Sequence, residues 1–247
     1  MLEELAALDP VLLPRVDDNP RYGAPVSGSR QFIVIGQNYS DNSAQGNQPL
    51  PSEPVVLMKT TGCVQGPNDP IVIPRGSEKT DWEVELCVVM GRRAAYIEEA
   101  DALNYVAGYC VTNDLAERAY QLERGGTWDK GKCCPTFGPV GPWLVTADEI
   151  GDVQGLSMWL DVNGRRMQTS STRNMIFPVA TLISYLSEFM TLEPGDLIAT
   201  GTPAGIGLFQ KPHPRYLRPG DVVTLGVKRL GEQRQEVVAW TREAVAV

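Results

Sequence analysis

The stretch Asp81-Trp82-Glu83-Val84-Glu85-Leu86 runs without a break into Cys87-Val88-Val89-Met90 and stops at Gly91. The apolar half is short and rich in β-branched residues, which marks a buried strand. Side chains alternate along a strand, so Glu83 and Glu85 face the same side. Two carboxylates at the mouth of a buried strand repel each other and lose hydration unless a cation, hydrogen-bond donors or water answer them. A hard divalent ion does this well, because it prefers oxygen ligands. The competing reading places both glutamates on the wet face of an amphipathic strand, and the rest of the chain decides between the two.

Composition narrows the function classes. The 247 residues suffice for one large domain, or one domain with an arm. The formal net charge is −8 and there is no basic block, which argues against nucleic acid as a partner. No apolar run approaches the ~18 residues of a membrane span. The acidic start lacks the basic region of a secretory signal. Five cysteines without regular spacing read as reduced, packed thiols in the cytoplasm.

The remaining elements follow from local signals. Residues 2–13 read as a short helix, and residues 1–30 as an N-terminal arm preceding a domain at 31–247. Phe32-Ile33-Val34-Ile35 and Val55-Val56-Leu57-Met58-Lys59 read as strands, with a polar loop at 37–54 between them. Such a loop, directly after a buried strand, is a common place for a site. Asn163-Gly164 is a hairpin signal. The 3.6-residue period over 179–189 predicts a helix whose core side holds Leu182, Ile183, Leu186 and Phe189. Residues 115–124 also look helical; on that helix Asp114, Arg118 and Gln121 share a face, and Asp114 is either its N-cap, with Glu117 completing a capping box, or a ligand. Residues 130–137 read as a loop. Pro194-Gly195-Asp196 and Pro219-Gly220-Asp221 each set a turn before a β-branched strand. The sum is a mixed α/β chain, mostly β, a rolled or sandwiched sheet with a few short helices.

In order along the chain, Gly36-Gln37-Asn38-Tyr39, Lys59, the 81–86 stretch, Asn113-Asp114 with Arg118 and Gln121, Gly131-Lys132, residues 138–143, residues 162–164 and residues 194–203 resemble the fumarylacetoacetate hydrolase superfamily. Residues 74–82 are most similar to its bacterial branch that cleaves 2,4-dioxo-3-deoxy sugar acids. The resemblance implies a β-roll fold, usually as a homodimer. It implies a Mg²⁺ or Mn²⁺ ion on Glu83, Glu85 and Asp114, and a 2-oxo or 2,4-dioxo acid chelated through its carboxylate and oxo oxygens. It further implies Lys132 and Gln121 as catalytic residues, and substrate contacts from Arg118, Gln121, Lys132, Gly201 and Thr202, with Tyr39 and Lys59 at matching positions.

One pair departs from the family. Hydrolytic members follow the Asn-Tyr motif with a His and, three residues on, a Glu that together activate water. Here those catalytic positions hold Asn42 and Gln45, whose amides take no proton near neutral pH. The only histidine, His213, lies in a Lys-Pro-His-Pro loop and reads as solvent-exposed. Pro135 also replaces the usual Asp after the lysine loop. Three activities stay open: hydrolysis of a C–C bond with another base; isomerisation, decarboxylation or dehydration on the enolate; or ligand binding with little catalysis.

Overall fold

A computed structural model describes residues 7–16 and 20–245. Its central strand is β6 (Val84–Met90), buried at all seven residues. Alternation divides that strand between two cores. Leu86, Val88 and Met90 join the larger apolar cluster, whereas Cys87 and Val89 face a smaller one with Phe32, Val34 and Leu197. Glu85 and Glu83 continue the second face, so the apolar side of the sheet turns acidic at one end. Ala24 and Val26 pack against that smaller core.

The remaining strands are β1 (Phe32–Gly36), β2 (Val55–Lys59), β3 (Val64–Gln65), β4 (Ile71–Val72), β5 (Thr80–Asp81), β7 (Val106–Asn113), β8 (Ala116–Glu117), β9 (Gly138–Thr146), β10 (Ser157–Val162), β11 (Arg165–Ser171), β12 (Leu197–Ala199), β13 (Val222–Val227) and β14 (Gly231–Val238). They form a seven-stranded sheet in the order β2-β1-β12-β6-β7-β9-β3, a five-stranded sheet β11-β10-β13-β14-β4, and the pair β5-β8. The architecture is mixed α/β and mostly strand.

Pairing register places the site. In the antiparallel β6–β7 ladder Val84 faces Asn113, so Asp114 emerges beside Glu83 and its backbone N–H donates to the Glu83 carbonyl at 2.8 Å. β12 lies antiparallel on the other side of β6, with Ala199 opposite Cys87, which carries Thr200 and Gly201 alongside Leu86 and Glu85. β1 runs parallel to β12, so its exit loop opens at the same edge.

Several local expectations need correction. The loop at 37–54 contains α1 (Ser40–Gln45), and the loop at 130–137 begins with α3 (Asp129–Lys132). The helix expected over 115–124 is shorter: α2 spans Arg118–Leu122, after β8. Its N-cap is Glu117, whose carboxylate accepts from the Ala119 N–H at 3.2 Å, so Asp114 is not a cap. The 179–189 helix forms as read, as α4 (Val179–Phe189), but only Leu182, Ile183 and Leu186 of the expected side are buried. Phe189 is 64% exposed and packs edge-on against Tyr185. Asn163 and Gly164 both take positive φ, 53° and 72°, as the β10–β11 turn requires. The helix expected over 2–13 lies partly outside the described residues, and Pro10–Leu12 form a single 3₁₀ turn. Among the described residues, no helix is long and apolar enough to cross a membrane.

Candidate active site

Two strand ends, the start of β6 and the end of β7, build an acidic centre. Oxygens of Glu83, Glu85 and Asp114 lie within 4.8 Å of one another, and all three residues are buried. This excludes the wet-face reading of the two glutamates. Arg118 and Gln121 join them from α2, Lys132 from α3, and Lys59 from the end of β2.

The cations are already committed. Arg118 donates from Nη2 to Glu83 Oε1 at 2.6 Å, from Nε to Asp81 Oδ2 at 2.9 Å and from Nη1 to Gln121 Oε1 at 2.8 Å. Lys132 Nζ donates to Glu83 Oε2 at 2.6 Å, to the Asp114 carbonyl at 3.1 Å and to Asp114 Oδ2. Lys59 Nζ donates to Asp114 Oδ1 at 2.6 Å and to the Leu115 carbonyl at 3.1 Å. Four carboxylates, counting Asp81, thus meet three cations.

Glu85 is the carboxylate left without a direct cation. Its one hydrogen bond among the described residues comes from the Gly201 N–H, at 2.8 Å to Oε2. Burial, together with the negative charges of Asp114 and Glu83, holds its carboxyl well above the usual range. Asp114 goes the other way: burial opposes its charge, but Lys132 and Lys59 outweigh burial and bring it to about 2. Burial likewise opposes the Lys132 ammonium, and Asp114 and Glu83 overcome it, so the amine is held protonated. Buried hard oxygens, close together and in excess over the local cations, suit a divalent ion such as Mg²⁺ or Mn²⁺. Glu83, Glu85 and Asp114 are the residues that would hold it.

These groups open into a cavity of about 130 Å³, lined by the acidic cluster, Arg118, Gln121, Lys132 and Thr202 at its polar part. Asn42 also lines it, and its amide donates to the Thr202 carbonyl at 2.9 Å. Gln45 does not line it; its Oε1 accepts from the Gly205 N–H at 2.7 Å. The two amides therefore tie α1 to the 202–205 segment. The Thr202 hydroxyl is engaged as well, donating to the Val84 carbonyl at 3.0 Å and accepting from Gln168 at 2.9 Å.

Tyr39, Lys59 and Gly201 lie behind the lining. Tyr39 is fully buried with its hydroxyl 3.2 Å from Met158 Sδ. Gly201 has φ +102°, and a methyl group on it would come 2.8 Å from Asn38 Cβ, so glycine alone fits. His213 is exposed, as expected.

Sequence reasoning gave no role to Asp81. It is wholly buried and accepts from Arg118, from the Gly207 N–H at 2.6 Å and from the Leu208 N–H at 3.0 Å. Its place beside Glu83 in the opening stretch was the available signal. The apolar part of the lining, Leu57, Leu122, Trp128, Ile206, Leu208 and Phe209, comes from four separate segments.

The model of the fumarylacetoacetate (FAA) hydrolase C-terminal region matches residues 31–238. This chain belongs to the fumarylacetoacetate hydrolase family. It is an enzyme of the hydrolase or isomerase type, as its relatives in the family show. It is similar to the fumarylacetoacetate hydrolase of psychrophilic Exiguobacterium antarcticum, with a TM-score of 0.86 and 34% identity over 94% of this chain and 83% of that one. It is similar to the 2-hydroxyhepta-2,4-diene-1,7-dioate isomerase of Mycobacterium marinum, with a TM-score of 0.77 and 33% identity over 89% of this chain and 78% of that one. A Burkholderia multivorans protein, provisionally named a hydrolase, is 57% identical over 95% of this chain and 83% of its own length.

Proposed function

We propose that this enzyme moves protons on a 2-oxo or 2,4-dioxo acid held with its carboxylate and neighbouring oxo group at the Glu83, Glu85 and Asp114 cluster. Mg²⁺ or Mn²⁺ is the cofactor in this reading, and when bound it stabilises negative charge developing on the oxo oxygen as a Lewis acid. The observation that carries the proposal is the tie from Asn42 and Gln45 to the backbone of residues 202 and 205. Where hydrolytic members place a base for water, this chain has two amides acting as struts.

Lys132 carries the proton. Three oxygen acceptors surround its Nζ and hold it as an ammonium, so it gives a proton to carbon in the ketonising direction, and the amine left behind takes one back in the reverse direction. Delivered to the carbon next to the oxo group, that proton converts an enol acid to its keto form while the enol hydroxyl proton passes to the amine left on Lys132; in decarboxylation it replaces the departing CO₂, and water reprotonates the amine. Arg118 keeps Glu83 and Gln121 in place through two of its nitrogens. The Gln121 amide nitrogen, with its oxygen engaged by Arg118, is directed to a substrate oxygen. Thr202 shapes the wall through its backbone and already bonded hydroxyl.

The M. marinum relative is named for isomerisation of a hydroxydienoate, which supports this class of chemistry. The E. antarcticum and B. multivorans relatives are named as hydrolases, which favours hydrolysis as the second reading, here of a C–C bond in a 2,4-dioxo acid. Product analysis with Mg²⁺ separates them. Proton transfer conserves the carbon skeleton, or loses only CO₂ or water, whereas hydrolysis yields two acids from each substrate. Lys132→Met should cost about 10²- to 10⁴-fold in turnover under the first reading.

A further inference from the structure

The cavity that holds the reacting head also has a second, chemically different part. Leu57, Leu122, Trp128, Ile206, Leu208 and Phe209 line it. The two remaining amides on that lining, Gln37 and Gln48, bond to each other at 2.5 Å. The cations among the lining residues are Arg118 and Lys132, and both are bound to carboxylates. The Phe209 ring is seated on Gly46 so closely that a methyl group there would come 2.7 Å from Cζ. This wall is held from below: Asp81 accepts from the Gly207 and Leu208 N–H groups. It is a built surface, continuous with the acidic centre.

A second carboxylate entering this region would lose water and gain no cation, which is strongly unfavourable. An alkyl or aryl group would gain from leaving water. We propose that the substrate is a monocarboxylic 2-oxo or 2,4-dioxo acid with an uncharged, apolar tail lying against Leu57, Trp128, Leu208 and Phe209. This rests on the head-group reading above and names the tail that completes it. Dicarboxylic and polyhydroxylated acids are the classes that it excludes as preferred substrates.

The test compares acids with one head and different tails. With Mg²⁺ present, kcat/KM is measured for 2,4-dioxooctanoate, for 2,4-dioxooctanedioate and for 5,6-dihydroxy-2,4-dioxohexanoate. The expected result is a preference for the first of at least about tenfold, the scale on which pocket contacts discriminate substrates. Leu208→Arg should narrow or reverse the preference against the dioate, and Gly46→Ala, by displacing Phe209, should lower kcat/KM for the octanoate. Equal or better use of the dioate or the dihydroxy acid by the unaltered enzyme overturns the inference while leaving the head-group reading intact. Failure of all three to react, and of oxalate to bind in the presence of Mg²⁺, overturns the head-group reading and the inference with it.

Discussion

The side-chain amide of Asn42 donates to the backbone carbonyl of Thr202 at 2.9 Å. With the matching Gln45–Gly205 bond at 2.7 Å, it fastens α1 across the cavity to the segment that follows β12. Both bonds survive replacement by the family's usual pair, because a histidine N–H can donate to Thr202 and a glutamate can accept from Gly205. The double variant Asn42→His, Gln45→Glu should therefore fold and should gain hydrolysis of a 2,4-dioxo acid. A general base is worth about 10²- to 10⁴-fold, and part of that range is expected. Chromatography of the two acid products measures it.

The acidic centre should trade stability for ion binding. Glu83→Ala leaves Arg118 and Lys132 short of a buried partner, at a cost of about 3–5 kcal/mol. It should also abolish any rise in Tm on adding Mg²⁺, since a ligand stabilises only the state that binds it. Glu85→Gln should do the opposite to the metal-free protein and raise its Tm while losing the Mg²⁺ response. The amide oxygen that this substitution introduces can keep the bond from Gly201 without the charge. Thermal unfolding with and without EDTA reads both variants.

The same glutamate sets a pH dependence. Its folded-state carboxyl is raised by burial and by Asp114 and Glu83, so the folded protein holds a proton that the unfolded chain has released. Such a group contributes stability fully below the unfolded value, about 4.3, and that contribution is lost as pH rises through the folded value. In EDTA, Tm should fall as pH climbs from about 5 upward, and Glu85→Gln should flatten the slope. Excess Mg²⁺, which competes with the proton, should oppose the trend. A Tm in EDTA that rises with pH, unchanged by the substitution, would refute this.

Thiol chemistry offers an independent check of packing. Burial pushes Cys63 to about 11, Cys110 and Cys134 to about 12, and Cys87 well above its usual value. Thiolate is therefore scarce in all four at pH 8. Only Cys133 is half-buried rather than buried, although its sulfur lies 3.5 Å from the Met58 carbonyl. Ellman's reagent at pH 8 should label one thiol quickly in the native protein and five after denaturation.

Asp81 joins the two parts of the cavity. Asp81→Asn removes a charge facing buried Arg118 and weakens the anchor of Gly207 and Leu208. A loss on the order of 3 kcal/mol is expected, within the range for broken buried pairs. KM for an apolar-tailed acid should rise along with it, as steady-state kinetics would show.

Local pattern carried the elements that pack on themselves. The β-branched runs of β1, β2, β6 and β12 are strands in the structure, and Glu83 and Glu85 do face one side. What failed was held by distant contacts. Ser40–Gln45 has no apolar period, and its helix is fastened through Asp41 to Ser170 at 2.6 Å and through Asn42 and Gln45 to residues 202–205. Local signals left Asp114 open between cap and ligand, because Glu117 follows three residues later; the β6–β7 register, set 30 residues away, decides it by placing Asp114 beside Glu83. The apolar wall is assembled from segments that only the fold brings together, Leu57, Leu122, Trp128 and residues 206–209.

The central claim is that this site transfers protons without activating water. The direct measurement is NMR of oxaloacetate and a 2,4-dioxo acid in D₂O with Mg²⁺, following loss of the C3 proton signals and appearance of cleavage products in one tube. Deuterium should enter C3 faster than any C–C hydrolysis product forms, and Lys132→Met should slow that exchange. Rapid release of two acids from the dioxo acid, ahead of C3 exchange and unaffected by substitutions at Asn42 and Gln45, would contradict the account.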